Sequence, residues 1–215
     1  MMKTSLNICL GRQLGSGGYE IAKRVAERLE LQLYDKEVLR EAARESGVVP
    51  AMFLRSDEEK SGRWRGAAAS SLFASGARLG ANMGYTAAFD SKALFHIMSE
   101  TIQRLAAEGN CLFVGRCAEY ILRERGDVVS VFVAADKKDR IARVARLEGV
   151  GEREARHLIN NVDKRRAEYH DFYAHERWGQ PSTYDLCINT SRCGLEVAVD
   201  IIVDFVERKV ESEEQ

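Results

Sequence analysis

Apolar residues along this chain come in short blocks separated by polar stretches with helical spacing. Ser5-Leu-Asn-Ile-Cys-Leu10 has the character of a brief strand. It runs at once into Gly11-Arg-Gln-Leu-Gly-Ser-Gly-Gly18, which can continue neither a strand nor a helix, so a loop begins there. From Tyr19 onward Ile21, Ala22, Val25, Ala26 and Leu29 recur at helical spacing, with Lys23, Arg24, Glu27 and Arg28 between them. Leu31 to Tyr34 predicts a second strand. Val38, Leu39, Ala42 and Ala43 predict a helix from about Lys36 to Gly47.

Between residues 48 and 91 the pattern changes. A charged cluster from Ser56 to Gly62 gives way to small residues from Gly66 to Ala88, which offer little apolar surface. This stretch reads as an insertion that packs weakly and moves. Lys92 to Glu108 returns to a helix, Cys111 to Val114 is a strand, and Ala118 to Arg123 fits a short helix. Val128 to Ala134 is apolar apart from Ser130, as in a strand covered on both faces. Asp136 to Leu147 is helical, as is a longer polar stretch from Glu152 to Tyr173 that Trp178-Gly-Gln-Pro181 breaks. Tyr184 to Asn189 predicts the last strand and Leu195 to Val206 the last helix, with Glu211 to Gln215 frayed. Five strands alternating with helices specify an α/β fold, a parallel sheet flanked by helices with right-handed crossovers.

A chain of 215 residues, 45% hydrophobic and 30% charged, can bury one substantial core, so a single domain is expected. With 32 basic and 33 acidic side chains the formal charge is -1, which supplies no field to hold a nucleic-acid backbone. No apolar run of roughly 18 residues exists to span a bilayer. Nucleic acid and membrane are thus disfavoured as partners. Met1 to Cys9 does not read as a signal peptide, and a cytoplasmic location is expected. Cys9, Cys111, Cys117, Cys187 and Cys193 form no Cys-x-x-Cys pair and read as reduced, mostly core thiols. His96, His157, His170 and His175 fit no ligand spacing, so no protein-built metal site is expected.

The glycine loop carries the chemistry. Peptide N–H groups at a helix N-terminus, with about half a positive charge, bind anions, and Gly15, Gly17 and Gly18 together allow a close approach to phosphate. The phosphate-loop pattern Gly-x-x-x-x-Gly-Lys-Ser/Thr, aligned on Gly17, finds Arg12 at its first glycine, Gly18 at its lysine and Tyr19 at its hydroxyl position. The dinucleotide pattern Gly-x-Gly-x-x-Gly fits Gly15 and Gly17, has Glu20 at the third position, and gains Asp35 at the end of the second strand. Cys117 follows Arg116, a cation that could lower its pKa, but no histidine partner is evident.

The loop, Tyr34-Asp-Lys-Glu, Val114-Gly-Arg-Cys-Ala-Glu-Tyr-Ile-Leu122, Asp163-Lys-Arg-Arg166 and Trp178-Gly-Gln-Pro-Ser-Thr-Tyr-Asp-Leu-Cys-Ile-Asn189 together resemble the cytidylate kinase-like family over nearly the whole chain. The resemblance implies a three-layer P-loop kinase-like fold with a five-stranded parallel sheet, a helical acceptor-binding insertion at 48–91 and a lid at 148–181. The core then comprises 1–47, 92–147 and 182–210. It implies that Gly15, Ser16, Gly17, Gly18, Tyr19 and Glu20 cradle the phosphates of ATP or another NTP, which brings its own Mg2+, with Asp136 or Asp35 as helpers. Asp35, Arg40 and Arg116 would lie on the acceptor side, and Lys164, Arg165 and Arg166 would neutralise charge on the transferred group. Cys117 stands where cytidylate kinases have an acid, which argues against cytosine selectivity. Arg12 is the candidate replacement for the missing lysine, or else a structural partner of Glu20 or Asp35. The implied activity is phosphoryl transfer from an NTP to a small-molecule acceptor, with a non-catalytic nucleotide sensor and a dinucleotide-dependent oxidoreductase as alternatives. Apolar surface on the insertion could serve a homodimer contact.

Overall fold

The computed structural model describes residues 6–35 and 84–213, except the side chains of 84–91, 94 and 213. The chain divides into two compact units, 1–37 with 102–215 and 38–101. The sheet and everything attached to the glycine loop belong to the first. Of the second, only the helical stretch 84–101 is described. The helix expected from Lys36, Arg40 within it, and most of the insertion fall outside the described residues.

Five strands form one parallel sheet: β1 (Asn7–Arg12), β2 (Gln32–Tyr34), β3 (Cys111–Val114), β4 (Val128–Ala134) and β5 (Leu186–Asn189), in the order β2-β3-β1-β4-β5. The helices are α1 (Gly18–Arg28), α2 (Gly84–Glu108), α3 (Ala118–Ile121), α4 (Lys137–Glu148), α5 (Glu152–Ala174) and α6 (Thr190–Glu213). The dinucleotide fold orders its strands 3-2-1-4-5-6 and so places its second strand beside the first. Here β3 takes that position, and the oxidoreductase alternative loses its topological basis.

Alternation along each strand separates the two faces. Ile8 and Leu10 of β1, Leu112 and Val114 of β3, and Val129, Val131 and Val133 of β4 join Val25 of α1 and Ile202 of α6 in the main core. Phe132, on the opposite face of β4, lies with Trp178 and Tyr184 at ring-centroid distances of 5.3 and 5.0 Å. A smaller cluster of Ile141, Val144, Ala155 and Ile159 locks α4 to α5.

Three boundaries differ from the sequence reading. The helix expected from Lys92 already includes Gly84, the first described residue of this stretch, where Ala87 and Ala88 favour a helix without an apolar stripe to mark it. β5 begins at Leu186 rather than Tyr184, since Pro181–Thr183 forms a 3-10 turn ahead of it. The last helix starts at Thr190, breaks at Gly194 (φ 79°, ψ 174°), and continues to Glu213, past the expected end at Val206.

Candidate active site

β1 sits at the middle of the sheet with later strands added on both sides, so the loop leaving its carboxyl end opens into the crevice where α/β folds bind ligands. Gly15 (φ 80°) and Gly17 (φ 82°) occupy the left-handed region, which side chains penalise. The Ser16 side chain is buried: its hydroxyl donates to the Gln13 carbonyl at 2.8 Å and accepts the Gly18 amide at 3.3 Å.

Side chains from elsewhere take the loop's carbonyls. Arg166 Nη1 donates to the Arg12 carbonyl at 2.9 Å, Arg140 Nη1 to Leu14 at 3.3 Å, Arg143 Nη1 to Gly15 at 3.2 Å, and Thr190 Oγ1 to Ser16 at 2.8 Å. In a trans peptide the C=O and the following N–H point in opposite directions. Anchoring the carbonyls of Leu14 and Ser16 therefore turns the Gly15 and Gly17 amides the other way, as an anion-binding loop requires. Asp163 completes the fastening: Oδ1 accepts the Leu14 amide at 2.8 Å while Oδ2 pairs with Arg140.

Arg12 explains the missing lysine. A Cβ at Gly18 would lie 2.5 Å from Arg12 Cβ and 3.1 Å from its Cγ. The stem of Arg12 thus covers the position from which the usual lysine would project. Its guanidinium reaches the end of β3, where a Cβ at Gly115 would fall 2.1 Å from Nη1. Gly115, Arg116 and Cys117 form a left-handed turn there, with φ of 76°, 63° and 55°. For Arg116 and Cys117 that conformation costs roughly 1–2 kcal/mol each, strain of the kind that gathers at functional sites.

Beside the loop lies a cavity of about 390 Å³, into which Arg12, Arg116, Arg165 and Arg166 converge. Glu119 and His170 line it as well. Arg116 lies over the Tyr169 ring, 5.8 Å from its centroid. Burial pulls the Arg166 pKa below its ordinary value, and Asp163 offsets only part of this. A guanidinium stays protonated regardless, so an anion entering the cavity would relieve that penalty. Burial pushes the Tyr169 hydroxyl up to about 12. It also drives the Cys117 thiol upward, with Glu119 adding to the rise and Arg116 only partly opposing it. The thiol that the sequence set beside a cation is therefore held neutral.

A model of the cytidylate kinase-like family matches residues 7–192. The chain belongs to that family. Among solved structures it is similar to an uncharacterized protein from Eubacterium ventriosum, 28% identical over 94% of this chain and 98% of that one, with a TM-score of 0.69. It also resembles shikimate kinase from Bacteroides thetaiotaomicron, 13% identical over 95% and 99% of the two chains, with a TM-score of 0.53. Shikimate kinase from Acinetobacter baumannii in complex with shikimate is 13% identical over 96% and 95%, with a TM-score of 0.51. The last two likenesses establish a P-loop kinase-like fold and nothing finer. No curated protein matches the chain.

In this family member the residues singled out from sequence fall into three groups. Gly15 to Gly18 form the loop, and Arg12, Arg116, Arg165 and Arg166 share the cavity. Tyr19 and Glu20 face outward on α1: the Tyr19 hydroxyl donates to Asp35 at 3.1 Å, and Glu20 pairs with Arg24 at 2.7 Å. Lys164 is exposed and pairs with Glu168 at 3.6 Å, apart from its neighbours' cavity. Asp136 accepts from Asn189 at 2.9 Å and pairs with Arg192 at 3.2 Å, which ties the end of β4 to α6. Trp178 packs edge-on against Phe132 and also lines the cavity. Arg140, Arg143, Glu119, His170 and Thr190 received no site role from sequence. In the sequence they look like ordinary polar positions of helices, and only the tertiary fold brings the first two and Thr190 to the loop and Glu119 and His170 to the cavity. Among the described residues no helix is long and apolar enough to cross a membrane.

Proposed function

We propose that the protein is a phosphotransferase that moves the terminal phosphoryl group of ATP or another NTP to a small acceptor in the arginine-lined cavity. The observation that carries this reading is the placement of Arg12. Its stem lies over the bare Gly18 and its guanidinium extends to Gly115, from the loop toward the cavity. A cation there can neutralise charge on the group in transit, which is most of what phosphoryl-transfer catalysis asks of a protein.

The loop fits a triphosphate through its turned amides, the N-terminus of α1, and Arg143, whose Nη1 lies 2.6 Å from where a Gly17 Cβ would stand. Mg2+ would be brought by the nucleotide and held chiefly by its phosphates, where it neutralises their charge. Arg165 and Arg166 of α5 line the crevice, where they would neutralise charge on the transferred group.

Thermal stabilisation by Mg·ATP tests the reading. The wild-type protein is expected to show a saturable rise in Tm, and Arg12→Ala to lose it. One charge-assisted hydrogen bond to phosphate contributes about 1.5–3 kcal/mol, or roughly 10- to 150-fold in affinity. An unchanged shift in the variant rejects Arg12 as the cation. Saturable binding with no diphosphate release across an acceptor panel favours a nucleotide sensor instead.

A further inference from the structure

The cavity also holds a carboxylate that neither the glycine loop nor the arginine set accounts for. Glu119 of α3 meets His170 of α5 with Oε1 2.8 Å from Nε2, and their side chains are 9% and 5% exposed. The other ring nitrogen, Nδ1, lies 3.2 Å from the Glu176 carbonyl and 3.5 Å from Asp171 Oδ1. Both ring nitrogens thus face acceptors, an arrangement that only the doubly protonated ring satisfies fully. Consistently, although burial alone would lower the His170 pKa, hydrogen bonding and charge from Glu119, with help from Asp171 and the Glu176 carbonyl, raise it overall. Glu119 is then the anionic partner, held in place among cations.

That placement distinguishes between acceptor chemistries. A phosphate acceptor needs no base near neutral pH, because its second ionisation lies near 6. A fixed carboxylate beside it would repel it. A hydroxyl acceptor has the opposite requirements: it donates a hydrogen bond to a carboxylate and must lose its proton as its oxygen bonds to phosphorus. The four arginines in the cavity wall call for an anion. The Tyr184 hydroxyl, in a residue 8% exposed, has the Gly179 amide beside it as a donor and no acceptor for its own proton among the described residues.

We infer that the acceptor is a small hydroxylated anion whose charged group lies on the arginines, and whose nucleophilic hydroxyl donates to Glu119. This inference rests on the phosphotransferase reading for its chemical step. In that step the acceptor oxygen forms a bond to the terminal phosphorus, and the bond from that phosphorus to the bridging oxygen breaks. The nucleoside diphosphate leaves with the electron pair, and the hydroxyl proton passes to Glu119 and then to water on product release. His170 is a positioning residue that orients Glu119.

Calorimetry without nucleotide tests the ligand class on pairs of anions that differ in hydroxylation: glycerate against propionate, glycerol phosphate against propyl phosphate, and hydroxycyclohexane carboxylate against cyclohexane carboxylate. In at least one pair the hydroxylated member is expected to bind wild-type protein at least tenfold more tightly, a preference that Glu119→Leu abolishes. With ATP present, that member should stimulate ADP release. Glu119→Gln, which still offers His170 an acceptor and so protects the fold, should lower this release at least 100-fold while changing acceptor affinity less than threefold. His170→Asn should lower kcat less than Glu119→Gln and alter its pH profile.

Equal binding within every pair, or no binding at all, overturns the inference. So does phosphorylation of a nucleoside monophosphate on its phosphate at a rate that Glu119→Gln leaves unchanged. Hydroxyl preference without any ATP binding upholds the ligand class and refutes the phosphotransferase reading, so the two failures are distinguishable.

Discussion

Only one side chain fits between positions 12 and 18, and a double-mutant cycle can measure that exclusion. Gly18→Ala would set a methyl carbon 2.5 Å from Arg12 Cβ and 3.1 Å from its Cγ. These atoms are the root of the side chain, fixed by the backbone of β1, and cannot swing aside as a guanidinium could. Overpacking of this kind costs typically 1–3 kcal/mol. In a chain of this length each kcal/mol lowers Tm by roughly 2–4 °C, so the expected loss is roughly 2–12 °C. Arg12→Gly removes the obstruction at a backbone cost of roughly 0.5–1 kcal/mol plus lost packing. In that background Gly18→Ala should be neutral or stabilising by up to about 1 kcal/mol, since alanine is the better helix former at the start of α1. The cycle should therefore show a coupling of at least about 1 kcal/mol, read from urea or thermal unfolding of the four proteins. Additivity within about 0.5 kcal/mol would refute the steric argument. The same logic predicts that Gly18→Lys alone disrupts the loop, whereas Gly18→Lys combined with Arg12→Gly is tolerated and binds Mg·ATP.

Asp163→Ala leaves the buried Arg140 and the Leu14 amide without their acceptor. Urea unfolding should show a loss of about 3–5 kcal/mol, and a loss below about 1 kcal/mol would contradict the fastening role. Because the His170 pKa is raised on folding, its stabilising contribution should be fully present below its unfolded value of about 6.5 and fade as pH rises through the folded one. The stability difference between wild type and His170→Gln should accordingly shrink as pH rises from about 6 to 9, and a difference that grows over that interval would reverse the assignment. Thiol labelling followed by mass spectrometry at mildly alkaline pH should modify Cys187 and Cys193 first. Cys9, Cys111 and Cys117 are buried, with pKa values pushed up by that burial, and should react only on unfolding.

The sequence made the strands and the loop legible because both are written in adjacent residues. Ile8 and Leu10 point to the main core with Cys9 between them on the other face, and glycines cluster in the loop that leaves β1. Pairing of Asp163 with Leu14 and of Arg143 with Gly15 spans well over a hundred positions, and no local pattern marks it. The contact between Glu119 and His170 is hidden for the same reason: one follows a strained turn, and the other sits among the charges of a polar helix. Arg12 was visible as a cation out of place. Its relation to Gly18 required coordinates, because the two flank a loop whose path the sequence does not specify.

The helix α5 has two duties. Asp163 and Arg166 grip the backbone of the loop, while Arg165, Tyr169 and His170 wall the cavity. One residue inserted ahead of Val162 would rotate all of them by about 100°, releasing the loop and blinding the cavity together. The angular phase of this one helix therefore couples the glycine loop to the cavity wall, and length changes between Gly151 and Val162 should be tolerated only in whole turns.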